Sequence, residues 1–372
     1  MQPRIHLAID NCFAAKRWTH PLEWMQIARD AGITCIEASA DNENDPMYTP
    51  ADAQQRWLEA VHDASAKTGV RVVNLFSGHG TYSTLGLAHP DVSVRDHMQH
   101  QWLEPMIRKA VSLDAGLGFF CHAFAQSILD DPQRYAEALD DLQRRLAELA
   151  QFAQAVGLGS LSVEQMYTPH QIPWTIDGAR ALLHTVNAGG APLYITLDTG
   201  HHIGQPRFLR PTREQIAAHL DDPAANPLWL GPNPPAELDA ALRYVEARPY
   251  LFTEPQDGDL YAWLRAFGGY APIIHLQQTD GTASAHRPFT PQHNLTGVVD
   301  PQKLLAALSD AYAAPADDNL PTRCEDIYLT FEIFGSTPQH PADLLAGVRE
   351  SAAYWRQFIP QDGLTLDALN AT

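Results

Sequence analysis

Cysteine is scarce and basic residues are outnumbered. The chain has 4 Cys among 372 residues, and 25 Lys and Arg face 44 Asp and Glu, for a formal net charge of −19. Cys12, Cys35, Cys121 and Cys324 are widely spaced with no CxxC pair. This speaks against disulfides or thiolate metal ligands and for buried free thiols in a reducing compartment. An acidic surface of this kind repels phosphate backbones and anionic headgroups, so nucleic acid and membranes are not expected partners. A small neutral or singly anionic substrate remains compatible, because a metal and a few Arg can reverse the local field. No run approaches the roughly 20 apolar residues of a membrane span. The opening MQPRIHLAID also lacks a signal peptide's apolar stretch, so a cytoplasmic location is expected.

What the chain does have is a regular alternation of short apolar runs and long amphipathic segments, the pattern of repeated βα units on a parallel sheet. Apolar residues make up 45% and charged residues 19%, a globular balance. Strand candidates fall at 5–10, 34–40, 70–78, 116–123, 160–166, 192–200, 272–280 and 326–334. Eight parallel strands are the number of the (β/α)8 TIM barrel, so the expectation is one α/β barrel domain over residues 1–372. Helices are expected near 20–31, 50–68, 94–113, 175–187, 300–312 and 342–358. The clearest lies in DPQRYAEALDDLQRRLAELAQFAQAVG, where Leu139, Leu142, Leu146, Leu149 and Phe152 or Ala153 recur at helical spacing. Asp131-Pro132 opens it as a cap followed by a first-turn proline, and Gly157 ends it. Residues 204–256 break the rhythm with GQPRFLRP, PLWLGPNPP and EARPYLFTEP. So long a connection, Pro-rich apart from a helix expected over 235–247, reads as a lid or a subunit contact. A dimer or tetramer is expected.

Four strand candidates each end on one oxygen- or nitrogen-bearing side chain: Glu164 in LSVEQM, Asp198 in LYITLDTGHH, Gln277 in IIHLQQTD and Glu332 in IYLTFEIF. In a parallel barrel such residues converge at the carboxyl-terminal rim, where active sites are built. Burying isolated carboxylates is costly unless a cation or hydrogen bonds compensate them, and one metal would compensate all of them together. The oxygen-rich set suits one divalent ion, Mn, Mg or Co ahead of Zn. The plainer alternative is a set of unrelated strand-end acids that cap helices or pair with Arg.

With these residues in place, the sequence resembles the xylose isomerase-like barrel superfamily, in particular its ketose 3-epimerase and hydroxypyruvate isomerase branches. The resemblance implies metal ligands at Glu164, Asp198, Gln277 and Glu332. LDTGHH is similar to the family's Asp-x-x-His run, which gives His201 the place of a substrate-contacting histidine. In HLQQTDG, many ketose epimerases would carry a second His two residues after His275, whereas Gln277 stands there, as in the hydroxypyruvate isomerase branch. The implied activity is metal-dependent isomerisation or epimerisation of a small keto sugar, sugar phosphate or keto acid. The metal, as Lewis acid, stabilises an enediolate, while Glu164 and Glu332 remove and return the proton.

An anionic site needs a cationic group to hold an acidic substrate, and Arg287 is the first candidate, with Arg207 and Arg210 behind it. His122, His170 and His79 are rim histidines suited to contacting hydroxyls, and Phe334, Phe13 and Trp174 could wall the site against sugar C–H groups. Other readings stay open. A phosphodiesterase like the abasic-site endonucleases is kept alive by the 17 His, though the acidic charge opposes it. An inosose-type dehydratase begins with the same proton removal, and a non-catalytic sensor barrel would tolerate loss of one of the two Glu.

Overall fold

Parallel strands buried on both faces need near-continuous apolar sequence, and each of the eight apolar runs forms one. In a computed structural model of the protein, which describes residues 2–77 and 85–370, these are β1 (Arg4–Asp10), β2 (Cys35–Ser39), β3 (Arg71–Ser77), β4 (Gly116–Phe119), β5 (Leu161–Glu164), β6 (Tyr194–Asp198), β7 (Ile273–Leu276) and β8 (Asp326–Phe331). Each pairs in parallel with the next, and β8 pairs with β1, so the sheet closes as a (β/α)8 TIM barrel. A two-residue β9 (Leu364–Thr365) adds antiparallel to β1 at the opposite end.

A helix follows every strand: α1 (Pro21–Asp30), α2 (Ala51–Thr68), α3 (Glu104–Ser112), α4 (Pro132–Val156), α5 (Ile176–Asn187), α6 (Leu260–Phe267), α7 (Pro301–Ala313) and α8 (Pro341–Trp355). In α4 the Asp131 carboxylate accepts from Gln133 N and Gly157 closes the helix at φ 83°, a left-handed cap that suits glycine. Leu142, Leu146 and Leu149 are fully buried and Ala153 nearly so. The stripe therefore faces the barrel through Ala153, and Phe152 packs at its edge. The two-turn helix α6 was not expected, because its aromatic-rich LYAWLRAF directly follows the irregular insertion. Asp259 caps it by accepting from Tyr261 N.

The segment 204–256 carries helices at Arg213–Asp221 and Leu238–Glu246, the second matching the one expected there. It lies against the outside of α4 and the β5–α5 connection. The Tyr250 ring stacks on Tyr135 at 3.8 Å, Tyr250 OH donates to Leu129 O at 2.9 Å, and Gln205 Nε2 donates to Met166 O and Trp174 O, each at 3.0 Å. Among the described residues no helix is long and apolar enough to cross a membrane. All four cysteines are free thiols, three of them buried.

Candidate active site

Because side chains alternate along a strand, a polar residue flanked by apolar ones on a barrel strand must face the lumen or end the strand. Glu164 and Asp198 are the last residues of β5 and β6, while Gln277 and Glu332 come one residue after β7 and β8. All four are buried, with Glu332 the most accessible at 8%. One atom demonstrates their convergence. His275 Nδ1 lies 3.0 Å from Glu164 Oε1, 3.7 Å from Glu332 Oε2 and 4.0 Å from Asp198 Oδ2.

His275, fully buried in β7, is the centre of this cluster and was not among the residues singled out from the sequence. Its other nitrogen, Nε2, is 2.6 Å from Glu37 Oε1, and Asn74 Nδ2 donates to Glu37 Oε2 at 2.6 Å. A neutral imidazole has only one N–H, so two carboxylates on its two nitrogens call for the imidazolium. Burial opposes that charge, but Glu37 and Glu332 outweigh it and hold the His275 pKa well above its ordinary value. The signal was present in the sequence: Glu37 in CIEAS, Asn74 in VVNLF and His275 in IIHLQ are polar residues inside apolar strands.

Glu164 is pushed up by burial, against the pull of His201 and His275. Burial acts on Glu332 in the same direction, yet His286 and His275 bring it well below the usual carboxylate range. Asp198 is tied into its own turn, accepting from Gly200 N at 2.6 Å and His201 N at 3.0 Å. Gln277 approaches Asp198 with its amide, Nε2 donating to Oδ1 at 2.8 Å, while its Oε1 accepts from His286 N at 2.8 Å. Gln277 thus bonds to one member of the carboxylate set through N–H groups.

A cavity of about 270 Å³ opens onto this cluster, lined by Ser39, Phe76, Phe120, Glu164, His201, His286, Glu332 and Phe334. His201 is on its wall. Its Nδ1 donates to Gln165 O at 2.7 Å, which leaves Nε2 facing Asp198 Oδ1 at 3.9 Å. His286, unremarked in the sequence, has Nε2 3.2 Å from Glu332 Oε2 and its ring stacked on Phe334 at 4.1 Å. Phe334 does form an apolar wall, joined by Phe76 and Phe120. Phe13 is instead fully buried in the core, and Trp174 packs edge-on against Phe208.

The other expected contacts point elsewhere. Arg287 Nη1 is paired with Asp280 Oδ2 at 2.7 Å, and Arg210 with Glu254 at 3.0 Å. His170 Nδ1 donates to Phe124 O at 2.8 Å. His122 sits against Phe120 and Trp102, where burial lowers its pKa to about 3 and keeps it neutral. None of these residues lines the 270 Å³ cavity, nor does any residue of 204–256. His79 and the loop around it lie outside the described residues.

The donor set fits a divalent cation. Glu332 Oε2 is buried without a well-aligned hydrogen bond, the His286 ring nitrogen at 3.2 Å being its nearest cationic neighbour. Among the described residues no Lys or Arg pairs with Glu37, Glu164, Asp198 or Glu332. The triad Asp198–His201–His286 offers ligand atoms within 4.8 Å of one another, and so does Glu164–Asp198–His275 once the His275 Nδ1 proton has left, the spacing of donors around one ion.

Comparison with known proteins agrees with this architecture. A family model described as xylose isomerase-like TIM barrel matches residues 25–315. D-erythrulose 1-phosphate 3-epimerase of Brucella abortus (strain 2308) is 25% identical over 356 residues, spanning 95% of this chain and 96% of that protein. A solved structure from Rhodospirillum rubrum ATCC 11170, provisionally named a xylose isomerase, is 21% identical with a TM-score of 0.70 and covers 99% of both chains. D-psicose 3-epimerase from Clostridium cellulolyticum H10 is 11% identical with a TM-score of 0.56, over 95% of this chain and 99% of that one. These two structures share the fold.

Proposed function

The chain belongs to the xylose isomerase-like TIM barrel family, and we propose that it is a metal-dependent sugar isomerase or epimerase acting on a small ketose or ketose phosphate. The observation that carries this reading is the meeting of three buried carboxylates within 4.0 Å of a single atom, His275 Nδ1. The curated relative supports it, being a 3-epimerase of a tetrulose phosphate.

Glu164, Asp198 and Glu332 would hold the cation, with Gln277 or His286 completing the set from the β7 loop. When bound, the cation supplies Lewis acidity to the substrate's carbonyl and hydroxyl oxygens. Glu164 and Glu332 stand on the cavity wall and come from different strands. One takes the proton from the carbon next to the carbonyl and the other returns it. His275, itself held by Glu37, bonds Glu164 Oε1 and fixes its carboxylate in place, and Phe76, Phe120 and Phe334 keep water from the reacting carbon. His201 Nε2 and Ser39 are placed to orient hydroxyls. The 204–256 segment, packed outside α4 and α5, is the part of the expected lid or subunit contact that we assign to subunit contact.

Incubation with D-erythrulose 1-phosphate, free tetruloses, pentuloses, hexuloses and hydroxypyruvate in deuterated water with Mn or Mg tests the proposal. Deuterium entering at the carbon beside the carbonyl, read by NMR, is the expected result. Absence of exchange with every compound, or undiminished exchange in the chelated protein, would overturn it.

A further inference from the structure

Beside the carboxylate cavity, and sharing Phe334 with it, is a second cavity of about 410 Å³ formed by the loops after β1, β2 and β8. Its polar lining is unlike that of the first. Lys16 is the one permanently charged cation lining either cavity among the described residues. It has no carboxylate partner among the described residues, and its Nζ donates to Thr337 Oγ1 at 3.1 Å. The Lys16 backbone sits at φ 67°, a left-handed conformation that side chains other than glycine seldom adopt. Asn42 Nδ2, buried, has no hydrogen-bond partner among the described residues. The hydroxyls of Thr19 and Ser336 complete a set of donors. Arg17 stands behind the β8 loop and fastens it, donating from Nη2 to Ser336 O at 2.8 Å and Gln339 O at 3.0 Å.

Glu43 also lines this cavity, but its carboxylate is turned to the indoles of Trp57 and Trp24, at 2.7 Å and 3.2 Å. Burial raises its pKa to about 7, so it repels an anion less than an ordinary Glu would. Resting on the function proposed above, we infer that this second cavity receives the phosphate of a phosphorylated short-chain ketose whose carbonyl carbon and the carbinol carbon beyond it lie in the first. A phosphomonoester brings nearly two negative charges and three acceptor oxygens, which match an ammonium, an amide and hydroxyls better than a neutral sugar end would. The three arginines expected from the sequence to meet an acidic substrate do not compete for this role. Arg287 and Arg210 are held by Asp280 and Glu254, and Arg207 lines neither cavity.

Calorimetric titration of the full chain in chelator tests this without relying on turnover, with D-erythrulose 1-phosphate and D-erythrulose as paired probes and inorganic phosphate as competitor. The phosphorylated ketose should bind at least about tenfold more tightly, the scale of one charge-assisted hydrogen bond, and inorganic phosphate should displace it. Lys16→Gln should remove about tenfold from the phosphorylated probe and leave the free ketose unchanged, with an unaltered melting temperature as the control for folding. Thr337→Val should act in the same direction. Equal affinity for the two probes, or a Lys16→Gln effect that is the same on both, overturns the assignment. Deuterium exchange in the metal-loaded enzyme reports on the reaction separately. Exchange without phosphate preference would leave the proposed function standing and remove the phosphate site, whereas phosphate-selective binding without exchange would do the reverse.

Discussion

Adding a divalent cation to the chelated protein should raise its melting temperature by an amount that follows from the site and the chain length. Glu37, Glu164, Asp198 and Glu332 are each at most 8% exposed, and among the described residues only histidines stand opposite them as cations. Unfolding separates ligands that lie on four different strands, so the ion binds the folded state and not the open chain. At a free ion concentration about 100 times Kd this linkage contributes about 2.7 kcal/mol. With an unfolding entropy of about 2.1 cal/mol/K per residue, a chain of 372 residues has about 0.8 kcal/mol/K, so the midpoint should rise by about 3 to 4 °C. Each further tenfold in free ion adds about 1.4 kcal/mol, slightly under 2 °C. Differential scanning calorimetry across a Mn or Mg series gives the slope. Glu332→Gln removes a buried carboxylate whose Oε2 has no well-aligned hydrogen bond and should move the whole series to at least about tenfold higher ion, the effect of losing one charged ligand contact. A wild-type midpoint that stays flat into the millimolar range, or a Glu332→Gln series that superimposes on the wild type, would refute the metal reading.

Glu164→Gln should lower solvent exchange by about 10²- to 10⁴-fold, the range of general acid–base catalysis, in a protein that melts as the wild type does when both are chelated; retained exchange removes Glu164 from proton transfer. Gly200→Ala would place a Cβ 2.5 Å from Gln277 Cδ, so the amide must leave Asp198. Metal affinity measured by calorimetry should weaken, and an unchanged affinity would show that Gln277 plays no part in the site. Glu43 has a folded pKa of about 7 against 4.5, so the folded protein holds its proton more tightly than the unfolded chain does. Its contribution to stability is therefore present below about pH 4.5 and is lost as the pH rises to about 7, by at most about 3 kcal/mol. Urea unfolding at pH 5 and pH 8 should show the wild type losing ground to Glu43→Gln across that interval, and a constant difference would contradict it. Leu146→Ala, in a fully buried position of α4, should cost about 2 to 5 kcal/mol; a loss below 1 kcal/mol in the same assay would mean that the α4 stripe does not pack on the barrel as described.

The sequence made the barrel legible because its strands are buried on both faces. Apolar runs such as IHLAID and PLYITL can be little else when amphipathic helices separate them. The ends of α4 were equally plain, since Asp131, Pro132 and Gly157 act within their own turn. Helix α6 was hidden because eight residues following the irregular stretch from Gln205 to Gly258 give too short a period to stand out. In the site, Glu164, Asp198, Gln277 and Glu332 could be grouped because each marks the polar end of an apolar run.

Strand order and strand-end chemistry, then, were fixed by local pattern alone: the barrel, the rim where function is concentrated, and the carboxylates that gather there. The orientation of individual groups was settled by distant neighbours. His275 became the hub because Glu37 and Glu164 reach its two nitrogens from strands 238 and 111 residues away. Lys16 was brought beside Thr337 across 321 residues. Alternation along a strand says which residues point inward. Which charge each of them meets depends on how the strands and loops come together when the sheet closes.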